Sequence, residues 1–132
     1  MDMAIQEDLK RIKETILEEL GDVEAIYLFG SVAKGTQNEK SDYDVLVFVK
    51  SVPADRIKIM SSIRYHLLGK IKRPIELFVL DVEELNYSSP FLYEVYYNNK
   101  LLHGKNIIEQ FKDALSKMKP LIINGVKVGY YV

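Results

Sequence analysis

Cysteine is absent from the 132 residues, which excludes a disulfide framework and a thiolate metal site. No apolar run approaches the roughly 18 residues that mark a membrane-spanning helix. Asp2, Glu7 and Asp8 stand where a secretory leader places its apolar stretch, so the N-terminus has no signal-peptide pattern. A basic excess is missing too: 18 Lys and Arg stand against 19 Asp and Glu, for a formal net charge of −1. Proteins that grip long nucleic acid without sequence preference usually carry such an excess. The chain therefore has no strong nucleic-acid signature, although a local basic patch remains open. It has no internal repeat and no low-complexity tract. The simplest reading is a cytoplasmic protein with no membrane association.

What is present suits one compact domain. Hydrophobic residues make up 48 % of the chain, enough for a core at this length. Ile5, Leu9, Ile12, Ile16 and Leu20 form a helical stripe over 3–20, with Gly21 as a stop. Apolar runs predict strands at 23–29, about 43–50 and 74–80. Between the last two, Ile57, Met60, Ile63 and Leu67 predict a helix over 53–68, with Pro53 near its start and Gly69 at its end. Lys70, Lys72 and Arg73 follow, either as a solvated turn or as a basic rim. A helical turn at 82–85 precedes a helix that starts at Ser88 or Ser89 with Pro90 and runs to about Asn98. Leu101–His103 is a short apolar segment closed by Gly104. Asn106 and Glu109 resemble a capping box for a final helix to Lys119 that carries Ile107, Ile108, Phe111, Leu115 and Met118. Asn124-Gly125 between apolar runs signals a terminal hairpin.

The chemistry concentrates between Phe29 and Val49. Gly30-Ser31 ends one predicted strand, ten residues follow, and Asp42-Tyr43-Asp44 opens the next. Acids at i and i+2 of a strand share a face and raise one another's pKa unless a cation sits between them. Hard carboxylate oxygens suit Mg²⁺. Gly30-Ser31 offers backbone N–H groups and a hydroxyl at a tight turn, which suits a phosphate. Either feature alone is an ordinary turn. Together, each at a strand boundary, they point to metal-dependent phosphoryl or nucleotidyl transfer. Glu76 interrupts the apolar run 74–80, so it faces either solvent at a sheet edge or a metal. Tyr87, Tyr93, Tyr96 and Tyr97 cluster in one segment as packing groups, one of which is free to stack on a nucleobase. His66 and His103 lack a metal-ligand spacing and read as structural or surface residues.

GSVAKGTQNEKSDYD, residues 30–44, resembles the signature of the DNA polymerase beta nucleotidyltransferase superfamily. It is most similar to that of the minimal nucleotidyltransferases: Gly-Ser, a small residue, Ala, Arg or Lys, Gly, a variable loop, then Ser-Asp-x-Asp and an apolar residue. Ala33, Lys34, Gly35, Ser41 and Val45 fill the secondary positions, and the resemblance covers roughly residues 4–104. It departs at Lys34, where Arg is more usual, and at Glu76, where Asp is more common.

The resemblance implies an α/β fold, a small mixed twisted sheet with helices mostly on one face. It implies that Gly30 and Ser31 hold the β- and γ-phosphates of ATP, and that Asp42, Asp44 and Glu76 bind two Mg²⁺ ions. Glu76 would also help deprotonate an acceptor hydroxyl. Lys34 either assists at the triphosphate or is a solvated loop residue. The catalytic core would span 1–104. Residues 105–132 would complete the same domain or dock a partner. The implied reaction is transfer of AMP to a tyrosine of a helical HEPN-type toxin, which would make the chain an antitoxin. Two rivals stay open: a binding module that neutralises its partner by occlusion, and a small-molecule nucleotidyltransferase whose acceptor site lies on another subunit. A homo-oligomer is compatible with the sequence.

Overall fold

The computed structural model describes residues 1–85, 90–111, 119–123 and 126–131. Helix α1, Met3–Glu19, begins where the Asp2 side chain accepts the Ile5 N–H at 2.8 Å. Ile5, Leu9, Ile12, Ile16 and Leu20 are all buried, as their spacing predicts.

Strand β1 is Val23–Phe29 and β2 is Tyr43–Val49. β3 is Ile75–Leu80 and β4 is Asn99–Gly104. They form one mixed sheet in the order β3-β2-β1-β4. β1 lies antiparallel to β2 and β4, while β2 and β3 run parallel. The apolar runs of β1 and β2 follow from this order, because both are central strands covered on both faces. The Leu101–His103 segment, which the sequence leaves unassigned, is the outer strand β4.

Helix α3, Arg56–Leu67, makes the crossover that the parallel pair requires. Its start lies three residues beyond Pro53. Ile57 is 78 % exposed and leaves the expected stripe. Met60 packs beside buried Ile63 and Leu67 as expected, and Ile59 takes the place of Ile57, because the i, i+4 row through 59, 63 and 67 faces the sheet. Helices α1 and α3 cover Ile26, Leu28, Val45, Val47, Leu77 and Val79. The opposite face presents Ala25, Tyr27, Phe29, Leu46 and Phe48 to Val95, Ile107 and Ile108. Val95 belongs to α5, Pro90–Tyr97, which follows the short α4, Val82–Leu85.

The final helix departs from expectation. Residues 107–111 form a 3₁₀ turn, and 112–118, with Leu115 and Met118, lie outside the described residues. Lys119 already opens strand β5, Lys119–Ile123, with Pro120 inside it. β5 pairs with β6, Val126–Tyr131, as the expected hairpin, whose Asn124-Gly125 turn is also outside the described residues. A two-stranded sheet has only edges, so it tolerates a proline. Asn106 does not act as a capping residue. Its Oδ1 accepts the Tyr27 hydroxyl at 2.7 Å, and that hydroxyl accepts the Ile108 N–H at 3.3 Å. The buried Tyr27 hydroxyl needs such partners, and the demand overrides the local capping preference. Ile107 and Ile108 are core residues. Among the described residues no helix is long and apolar enough to cross a membrane.

Candidate active site

Register brings the motif together. Phe29 pairs with Asp44 across the antiparallel β1–β2 ladder, and Asp44 pairs with Glu76 across the parallel β2–β3 ladder. The exit from β1 and the entries to β2 and β3 therefore converge at one end of the sheet. Alternation then sorts the side chains. Tyr43, Val45 and Val47 face α1 and α3. Asp44 shares the opposite face with Leu46 and Phe48, as Glu76 does with Phe78.

Gly30-Ser31 opens a short helix, α2, Gly30–Lys34, rather than a plain turn. Gly30 has φ 74°, and a β-carbon there would overlap Oδ2 of Asp44. Glycine is thus demanded twice, by its backbone and by the carboxylate against it. Gly35 ends α2 in the left-handed conformation at φ 77°. Ser31 is half-buried, and its Oγ makes no hydrogen bond among the described residues. Its carbonyl accepts the Thr36 N–H at 3.0 Å.

Asp44 is half-buried and carries a carboxyl pushed up to about 6. Burial is the largest cause, followed by the charge of Glu76, a hydrogen bond with Glu76 and the charge of Asp42. Glu76 lies on the outer strand β3 and is exposed, directly across the register from Asp44. Of the two readings drawn from the sequence, this is the exposed sheet-edge one. Asp42 sits half-buried just before β2. Among the described residues no three His, Asp or Glu side chains already enclose a metal position. The donor set nonetheless fits a hard cation: it is all oxygen, and it contains a carboxylate whose charge is disfavoured by its neighbours until a cation offsets it.

Lys34 ends α2, with its Nζ 4.0 Å from Glu94 Oε2 of α5. Both side chains are partly exposed, so the pair adds little stability. It joins the end of the Gly-Ser helix to α5, a contact with no local sequence signal. Of the tyrosines, Tyr96 packs against the cluster of Tyr27, Phe48 and Val95, and exposed Tyr97 meets Tyr96 edge-to-face at 4.9 Å. Tyr87 and the Tyr93 side chain lie outside the described residues. His66 is a surface group bonded to Glu19 Oε1 at 2.9 Å. A cleft of about 400 Å³ includes Arg64, Leu68, Lys72 and Arg73 in its lining. It contains no carboxylate and is separate from the motif.

A family model described as polymerase beta nucleotidyltransferase matches residues 10–108. A candidate protein adenylyltransferase of Methanocaldococcus jannaschii is 29 % identical over 116 residues, covering 80 % of this chain and 79 % of that protein. A chain of a toxin–antitoxin complex crystallised with AMP-PNP superposes with TM-score 0.65 at 22 % identity, over 82 % of this chain and 83 % of its own. A chain of the Shewanella oneidensis complex between a tri-AMPylated HEPN toxin and MNT antitoxin gives TM-score 0.57 at 18 % identity, over 84 % and 79 %.

Proposed function

The chain belongs to the polymerase beta nucleotidyltransferase family, and from that premise we propose that it transfers AMP from ATP, with Mg²⁺, to a tyrosine hydroxyl of a helical HEPN-type toxin, acting as its antitoxin. The observation that carries this reading is the convergence of Gly30-Ser31, Asp44 and Glu76 at one end of the sheet. The choice of a protein acceptor is supported by the candidate adenylyltransferase relative and by the toxin–antitoxin complexes of the same fold.

Gly30 and Ser31 receive the β- and γ-phosphates. The donors are the Ser31 hydroxyl and the N–H groups at the start of α2, which lack intrahelical acceptors. Lys34, on the same short helix, adds positive charge on that side. Asp42, Asp44 and Glu76 would hold the Mg²⁺, which when bound would neutralise the triphosphate and polarise the reacting oxygens. The acceptor oxygen attacks the α-phosphorus. A new O–P bond forms as the bond between the α-phosphorus and the α,β-bridging oxygen breaks, and pyrophosphate leaves. Glu76 takes the hydroxyl proton, since it is the exposed acid an incoming partner reaches.

The test follows two labels. With ATP labelled at the α-phosphate, the partner should become labelled; with ATP labelled at the γ-phosphate, the label should appear in released pyrophosphate. Label transferred from the γ-phosphate would mean phosphoryl transfer. Neutralisation of the partner with no transfer would mean occlusion, and labelling of a small alcohol alone would mean a small-molecule acceptor.

A further inference from the structure

Tyr43 separates Asp42 from Asp44 in sequence and points to the opposite face. Its hydroxyl donates to Asp8 Oδ2 at 2.6 Å. Asp8 is 5 % exposed and lies among the apolar residues of α1. The Lys72 backbone N–H donates to the same oxygen at 3.0 Å. Arg73 Nη1 donates to the carbonyls of Asn38 at 2.5 Å and Ser41 at 3.1 Å. The Pro74 carbonyl accepts the Tyr43 N–H at 2.9 Å. Residues 72–74 therefore grip the segment 38–43 along its length, and Asp8 fastens its end to α1.

Within that segment the loop is otherwise tied only to itself. Asn38 N–H donates to Ser41 Oγ at 2.9 Å, and Lys40 N–H to Asn38 Oδ1 at 2.8 Å. Among the described residues, the hydrogen bonds that join residues 37–41 to the rest of the fold are the two from Arg73. The Ser41 carbonyl belongs to the peptide unit that carries the Asp42 nitrogen. Holding that carbonyl holds the backbone from which the Asp42 carboxylate projects.

We infer that Arg73 is a positioning residue: its guanidinium pins the 38–41 loop and so directs the Asp42 carboxylate toward Asp44 and Glu76. This rests on the reading of Asp42 as a metal-holding carboxylate. It also gives the α3–β3 connection a role other than a solvated turn or a basic rim. Both bonds leave the same guanidinium nitrogen, whose two hydrogens lie in a fixed plane, a geometry that a freely rotating ammonium does not impose.

The experiment compares full-length wild type, Arg73→Met, Arg73→Lys and Asp42→Asn. Arg73→Met keeps the apolar stem of the side chain and removes its donors. In metal-free protein, amide exchange of residues 38–42 should quicken about tenfold in Arg73→Met, the loss expected for hydrogen bonds to a charged group. Exchange in the β1 and β2 core should stay as in wild type. Calorimetry should show ATP affinity without metal unchanged and the Mg²⁺ affinity of the ATP complex about tenfold weaker. Arg73→Lys should recover part of both changes. Wild-type exchange and wild-type Mg²⁺ affinity in Arg73→Met overturn the inference, provided Asp42→Asn loses Mg²⁺. If Asp42→Asn binds Mg²⁺ normally, the reading of Asp42 has failed and the inference falls with it. Should Arg73→Met not fold, Arg73→Lys decides: a Mg²⁺ affinity equal to wild type with faster loop exchange contradicts the link between loop and metal.

Discussion

Asp44 and Glu76 stand directly opposite each other across the parallel register of β2 and β3. Two carboxyl groups so close are poorly matched as two anions. The Asp44 carboxyl therefore holds its proton more readily than an ordinary aspartic acid in water.

Stability should record this. The Asp44 carboxyl lies at about 6, above its ordinary 3.8, so the fold binds more protons than the unfolded chain between those values. The contribution of Asp44 to stability without metal should rise as pH falls through that window and should be lowest above it. Asp44→Asn removes the disfavoured charge. We expect its melting temperature in a chelator to exceed wild type at pH 7.5, with the gain shrinking from pH 6 to pH 4. Metal affinity of the wild type should weaken below about pH 6. Thermal melts across pH 4–8 test this, and a less stable Asp44→Asn at pH 7.5 would contradict it.

Gly30 and Gly35 allow a paired comparison. Both have positive φ, but only Gly30 faces the Asp44 carboxylate; nothing lies within 4 Å of a β-carbon at Gly35. Gly35→Ala should cost only the backbone term, about 1–2 kcal/mol, and keep Mg²⁺-ATP binding. Gly30→Ala should cost more, displace Asp44 and abolish that binding. Denaturant melts and calorimetry on both variants check it.

Ser31→Ala removes a hydroxyl with no protein partner among the described residues. We expect ATP affinity to fall by roughly 1–2 kcal/mol, the scale of a hydrogen bond to a charged group, with the melting temperature unchanged. Unchanged affinity in calorimetry would count against the phosphate cradle.

Tyr27→Phe tests whether residues 105–111 belong to the core. It leaves Asn106 Oδ1 and the Ile108 N–H without the Tyr27 hydroxyl. A loss of about 1–3 kcal/mol in denaturant melts is expected. A neutral change would return this segment to the surface.

Much of this architecture is legible in the chain because its signals are local and periodic. The stripe from Ile5 to Leu20 and the apolar runs of β1 and β2 appear where their spacing puts them. The Gly-Ser and Asp-x-Asp elements meet because strand ends fix them. What sequence reading misses depends on distant partners. Ile57 fits a helical stripe but not the face that the sheet selects. Asn106 turns to Tyr27, 79 positions away in sequence. Lys34 meets Glu94, and Arg73 closes a loop more than thirty residues upstream. Asp8 did leave a trace: it is an acid among the apolar positions of α1 and needs a buried partner.

The most direct test is the intact mass of the partner toxin after incubation with this protein, ATP and Mg²⁺, followed by peptide mapping. The account expects added AMP on a toxin tyrosine, lost with Asp42→Asn or Asp44→Asn and retained with Gly35→Ala. An unmodified toxin, beside AMP transfer to free RNA or a small alcohol, would contradict it.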